Sequence, residues 1–370
     1  MPMYHLLLFF CIVSTLGPLG KSSEASPEAM FQTLIETQRY NEAKAFLSSI
    51  DGEPELLRVY ESFLLQHRDG IEKARAYLEK ALAEYPQSTV LKEHLAQLYL
   101  LEKKPAKAQA LVQGLPPETT QQFRFVQVQI NIFLQQDPRR ALNLITEHLR
   151  NKTYSAEYKR LLHTHLITAL KTLGLEHNAL QYFKNLPAKV KTALTREPNF
   201  ALLLGDIKST ETIPTLETLT LEQPKNRNLA QALGRSYLRQ GQHRNALTYF
   251  KRAHALGTPL ALEIADILEQ LKRPQEALFY NMQVKNKDAK LLQRFRIYLS
   301  AEQYPRAIAL IENLKERHLV DDRTRYQYAY ALAKLGNVSQ SMAICRQLAS
   351  SAYHTQAKAL ENVLLQQHRP

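Results

Sequence analysis

The chain has 370 residues, 45% of them hydrophobic and 22% charged, which is enough apolar material for a long core and excludes a disordered chain of low hydrophobicity and high charge. Glycine is scarce at 11 residues and tryptophan is absent, while Ala, Leu, Gln, Lys and Glu dominate, a composition that favours helix over strand. The net charge of +13 is unevenly placed: residues 227–370 hold 22 Lys and Arg against 11 Asp and Glu, so +11 of it lies there. Such an excess attracts an acidic protein face, an anionic polymer or an anionic membrane surface, unless it is only the solvated side of helices.

Leu6 to Leu16 is apolar apart from Ser14 and Thr15, and is followed by Gly17, Pro18, Gly20 and the small-residue site Ser23-Glu24-Ala25. That order predicts a secretory signal peptide over residues 1–25, with an uncleaved anchor or a buried helix as the alternative because Met1 to His5 carry no Lys or Arg. Cys11 follows Phe10, so it does not resemble a lipid-modified cysteine signal. Removal of the leader would leave an exported chain, periplasmic or envelope-associated, with Cys345 as a lone thiol that the residue pattern places in the core.

Downstream, one pattern recurs. Taking Ala246 as a landmark, equivalent small residues stand at Ala43, Ala74, Ala108, Ala141, Ala179, Thr212, Ala277, Ala307 and Ser341, in steps of 30 to 38 residues. Nine residues before each stands a large apolar side chain: Leu34, Leu65, Tyr99, Ile132, Leu170, Leu203, Tyr237, Leu268, Tyr298 and Leu332. Four residues after each stands another, from Leu47 through Phe250 to Cys345, with Asn281 the one polar exception. Small residues let two antiparallel helices approach closely, and bulky ones fill the space between successive hairpins.

The most complete copy runs Leu233-Gly234-Arg235-Ser236-Tyr237, then Gly241 at a turn, Ala246, Phe250, Ala253 and Pro259. It resembles the tetratricopeptide repeat, which places a Leu-Gly-x-x-Tyr element on a first helix and Ala, Phe, Ala at fixed offsets on a second. The resemblance implies an all-α fold, a right-handed superhelical α-solenoid of about ten degenerate hairpins. It divides the chain into N-terminal repeats over 26–187, a degenerate Thr-rich stretch over 188–226 that could form a bend, basic repeats over 227–350, and a capping helix and tail over 351–370.

Motifs for catalysis are missing: there is no Gly-rich phosphate loop, Gly-x-Ser-x-Gly elbow, His-Glu-x-x-His helix or Cys-x-x-Cys pair. His163 and His165 are two apart and diverge on a helix, and Asp321-Asp322 reads as a helix N-cap. The expectation is therefore a non-catalytic chain with no cofactor, no metal, no small-molecule substrate and no nucleic-acid partner.

In proteins similar to this one, the first helix of each hairpin lines an inner, concave surface where peptides or partner helices bind. Carried onto this sequence, that surface displays Asn228, Gln231, Arg235, Arg239, Arg296, Arg323, Tyr326, Tyr330 and Lys334. Forked Arg contacts and flat Tyr rings suit a protein partner with an acidic segment, in a scaffold or adaptor of the cell envelope. The alternative is an anionic polysaccharide-binding module assisting polymer export or assembly; membrane association would come only through a partner or an uncleaved signal. Phe123, Val126, Ile130 and Phe133 make the corresponding face near residues 122–137 apolar, either as a second contact patch or as packing against a neighbouring subunit or helix.

Overall fold

The computed structural model describes residues 27–367, and every regular element among them is a helix. The expected leader over residues 1–25, Cys11 included, lies outside the described residues. No helix among those described is long and apolar enough to cross a membrane.

The helices form antiparallel pairs. In the first of two compact units, which divide between Thr212 and Ile213, the pairs are Pro27–Glu36 with Tyr40–Ser48, Pro54–Asp69 with Ile71–Glu84, Thr89–Leu101 with Pro105–Val112, Phe123–Gln136 with Pro138–Leu149, and Ala156–Thr172 with Glu176–Asn185. Ala188–Arg196 and Pro198–Gly205 follow, separated at Glu197 because Pro198 can begin a helix but cannot continue one. The second unit pairs Arg227–Arg239 with His243–Ala255, Ala261–Gln270 with Pro274–Met282, Lys287–Ser300 with the broken second helix Tyr304–Ile308 and Ile311–Glu316, and Asp322–Lys334 with Val338–Gln347. His354–Gln367 packs on this last pair.

Within each unit a helix packs chiefly on the next helix and the next but one. The apolar clusters are correspondingly local: one joins Phe31 to Leu64, another Val59 to Ile132, another Phe123 to Ala169. Such nearest-neighbour packing within each unit is what a solenoid means physically.

All ten landmark residues are buried, and nine of them occupy the fourth position of a second helix, from Ala43 to Ser341. There the landmark N–H closes the first helical turn onto the preceding loop, as Ala246 does to the Gln242 carbonyl at 3.0 Å. Thr212 opens its helix instead and donates its hydroxyl to the Ile207 carbonyl at 2.9 Å; Ser341 donates to Ala329 at 2.8 Å. The residues four further on are all buried too, Asn281 included. Cys345 is a buried free thiol whose pKa is pushed up by burial first, then by the Glu361 charge.

Nine residues before the landmark, the backbone carbonyl of the bulky residue accepts the bond that closes the first helix, as at Tyr99, Tyr237 and Leu332. In seven of the ten hairpins the backbone five before the landmark turns left-handed: Gly174, Gly241 and Gly336 do so, and so do Gln38, Lys103, Lys272 and Glu302, with φ between 56° and 61° in this last group and His318. The Lys104 N–H donates to the Tyr99 carbonyl at 2.8 Å and the Lys103 N–H to Leu100 at 3.1 Å; around Gly241 the matching distances are 2.9 and 3.0 Å. This closure satisfies the helix's last carbonyls. A side chain there is costly, so Gly241→Ala should lower stability by about 1 kcal/mol, whereas Lys103→Gly should raise it by roughly 0.5 kcal/mol. Urea midpoints measure both, and equal shifts of one sign would show that the turn geometry is not what matters.

Tyrosines at the position nine before the landmark also tie hairpins together. The Tyr99 hydroxyl donates to Glu79 of the preceding hairpin at 2.6 Å, and Tyr237 donates in the same way to Glu217. Burial and then the Glu79 hydrogen bond push the Tyr99 phenol up to about 12, so it stays a donor.

Candidate partner-binding face

Three of the four first helices described in the second unit start at side-chain caps, and Ala261–Gln270, preceded by Leu260, does not. Asn226 accepts from the N–H groups of Asn228 and Leu229, Asn286 from Asp288 and Ala289, and Asp321 from Thr324 at 2.8 Å. Where present, the caps satisfy the first free N–H groups and fix where each helix begins.

Eleven residues before the landmarks, that face carries Arg235, Asp266, Arg296 and Tyr330. Arg235 is half-buried and makes no ion pair among the described residues. Arg296 pairs with Asp266 of the preceding hairpin, and the same carboxylate accepts from Gln293 at 2.7 Å. Glu269, one turn further along the Asp266 helix, is raised above the usual carboxylate range by burial, against the pull of the Arg296 and Arg323 charges. The face is thus mixed in charge at its centre, where cations alone were expected.

The other expected residues divide in two. Arg239 and Arg323 are exposed, Asn228 and Gln231 half-buried, and Arg239 donates to Ser236 at 3.4 Å. Tyr330 is 37% exposed, meets Tyr304 edge-on at 6.2 Å, and lies under the Lys334 ammonium at 5.4 Å. Tyr326 stacks on Tyr353 at 5.8 Å and packs against the cluster of Ala329, Cys345, Leu348 and Ala357, which leaves it half-buried. Asp266, Glu269 and Gln293 escaped the sequence reading. Counting eleven back from Ala277 finds Asp266, but only a search for acids as well as bases would have kept it.

In the first unit the corresponding face near residues 122–137 is closed. Phe123, Val126 and Ile130 are buried in the cluster they form with Ile145, Leu162 and Leu166, and Phe123 stacks on Tyr158 at 3.9 Å. Packing against neighbouring helices thus takes up Phe123, Val126 and Ile130, while Phe133 is half-buried beneath the Arg140 guanidinium at 4.2 Å. Next to this face Glu93 is buried with its carboxyl 3.5 Å from Arg124, and burial pushes its pKa up to about 7 despite that cation. His163 hydrogen-bonds to the Tyr182 hydroxyl at 2.6 Å, whereas the ring nitrogens of buried His165 meet no partner among the described residues.

Family models of the tetratricopeptide repeat match residues 71–129, 232–284 and 292–354. This chain is a tetratricopeptide-repeat protein. The tetratricopeptide repeat is in general a scaffold for protein–protein interaction and is typically non-catalytic, and this chain's all-α hairpins follow that plan. The chain is also similar to the crystal structure of the APC/C hetero-tetramer Cut9–Hcn1, with a TM-score of 0.37 and 12% identity over 92% of this chain and 76% of that one. No curated protein matches it.

Proposed function

We propose that this tetratricopeptide-repeat protein is a non-catalytic adaptor of the cell envelope, exported by its N-terminal leader, that holds a protein partner through an acidic segment on the first-helix face of residues 227–350. The observation that carries the reading is the succession of Arg235, Arg239, Arg296 and Arg323 beside exposed Tyr330. Arg offers a planar fork to carboxylates and Tyr gives contact area at small entropic cost. The partner would exchange its carboxylates for Asp266 on Arg296.

Asp266 and Glu269 also favour a protein over a uniform polyanion. A polysaccharide with charge at every repeat would meet two carboxylates midway along the face, whereas a peptide can place neutral or basic residues there. Pull-down from membranes with wild type and an Arg235→Glu/Arg239→Glu/Arg296→Glu variant tests the proposal. A specific protein recovered by wild type and lost with the variant supports it; equal recovery by both, or salt-sensitive binding of acidic polymers alone, refutes it. Mass measurement of the mature N-terminus tests export, and an intact Met1 on protein recovered from the periplasm would rule out cleavage.

A further inference from the structure

A cleft of about 590 Å³ opens between the broken second helix ending at Glu316 and the hairpin Asp322–Lys334 with Val338–Gln347. Lys315, His318, Arg325, Tyr328, Gln340 and Gln347 are among the residues that line it. None of these residues belongs to the first-helix face described above, and no carboxylate lines the cleft. Its two acids stand outside the lining: Glu312 on Lys315 at 2.8 Å and Asp322 on Arg325 at 2.8 Å. Both pairs are largely exposed and of the kind that contributes little, so an incoming carboxylate can displace them.

From this geometry we propose a second binding site, for a short acidic peptide segment, in the cleft between the ninth and tenth hairpins. A ligand carboxylate sits between Lys315 and Arg325, and the peptide backbone meets the amides of Gln340 and Gln347. Tyr328 is already covered by the Lys315 ammonium at 5.9 Å, which holds that cation over the cleft. Volume and lining agree with a site that takes a few side chains, being concave with a small number of convergent polar groups.

His318 adds a distinguishing feature. Its φ of 56° is left-handed, and its place eleven residues after the landmark Ala307 is the place Gly257 takes after Ala246. The closing bonds match: Leu319 N–H donates to Leu314 at 2.9 Å and Thr258 N–H to Ala253 at 3.0 Å. Glycine serves this turn without strain, yet here the chain carries an imidazole that lines the cleft. His318→Gly should therefore stabilise the fold and weaken the ligand together, an opposition that a purely structural histidine would not give.

The test uses the full chain and a short fluorescein-labelled polyglutamate peptide, followed by fluorescence anisotropy at low and physiological salt. Lys315→Gln/Arg325→Gln should weaken binding roughly tenfold or more, while changing two exposed cations away from both faces, Arg244→Gln/Lys358→Gln, leaves it nearly unchanged; Arg235→Gln/Arg239→Gln reads the first-helix face separately. His318→Gly should weaken it about threefold with a higher urea midpoint. The site is overturned if wild type does not bind the peptide, if a polyglutamine control or dextran sulfate binds as well, or if the Lys315/Arg325 double variant binds normally. Loss confined to the Arg235/Arg239 variant also overturns it, but leaves the proposal for the first-helix face standing.

Discussion

Phe250→Ala should destabilise the second unit by about 3–5 kcal/mol, the range for removing a fully buried phenyl ring that neighbours cannot collapse around. The ring is buried at 1% exposure and lies against Gly234, where a Cβ would come within 2.8 Å of its Cδ1 atom. Gly234→Ala alone should then cost about 1–3 kcal/mol as overpacking, even though alanine is the better helix former by roughly 1 kcal/mol. In the Phe250→Ala background the clash has gone and only the propensity remains. There Gly234→Ala should become neutral or stabilising, so the two substitutions are strongly non-additive. Urea unfolding of the four proteins measures the cycle, with hydrogen exchange over residues 227–255 showing where the loss falls. Additive costs would mean that the two helices are not held apart by this one contact.

The pair explains why so much of the fold can be read from residue order. A hairpin needs a gap and a filler at fixed separations, and the positions of Gly234, Ala246 and Phe250 state both within seventeen residues. The same beat located the other second helices, down to the fourth residue of eight of them. Turn chemistry was half legible. Gly241 announces its left-handed turn, but Lys103 and Glu302 adopt the same conformation with nothing in their side chains to say so, because packing of the two helices imposes it.

The candidate face was less legible because its chemistry is non-local. Arg296 looked free in sequence, and only stacking of the eighth on the ninth hairpin brings Asp266 to it. Tyr326 belongs to the same helical face as Tyr330, yet Tyr353 comes from beyond the last hairpin to cover it. Pattern rules tell which way a side chain points, and the neighbour decides whether it is still available.

Asn281 shows the same logic inside the core, and it carries the second large effect. It stands where the other hairpins place Leu, Val, Ile, Phe or Cys, is fully buried, and donates through Nδ2 to the Lys290 carbonyl at 2.9 Å and to Gln293 Oε1 at 3.1 Å. Its own oxygen accepts from Arg294 Nε at 3.1 Å. Gln293, also buried, passes the chain on to the Leu262 carbonyl at 2.8 Å and to Asp266, and Asp266 holds Arg296. Asn281→Leu restores the apolar rule of the repeat but strips the partners of the Lys290 carbonyl and the Gln293 amide. The expected cost is about 2–4 kcal/mol, because each buried polar group left unsatisfied costs roughly 1–3 kcal/mol. Adding Gln293→Leu removes one of the orphans and should recover part of the loss, while freeing Asp266 to move and raising the salt sensitivity of whatever binds at Arg296. Urea midpoints for the single and double variants decide the stability part, and a single variant as stable as wild type would mean that this polar chain does not couple the core to the face.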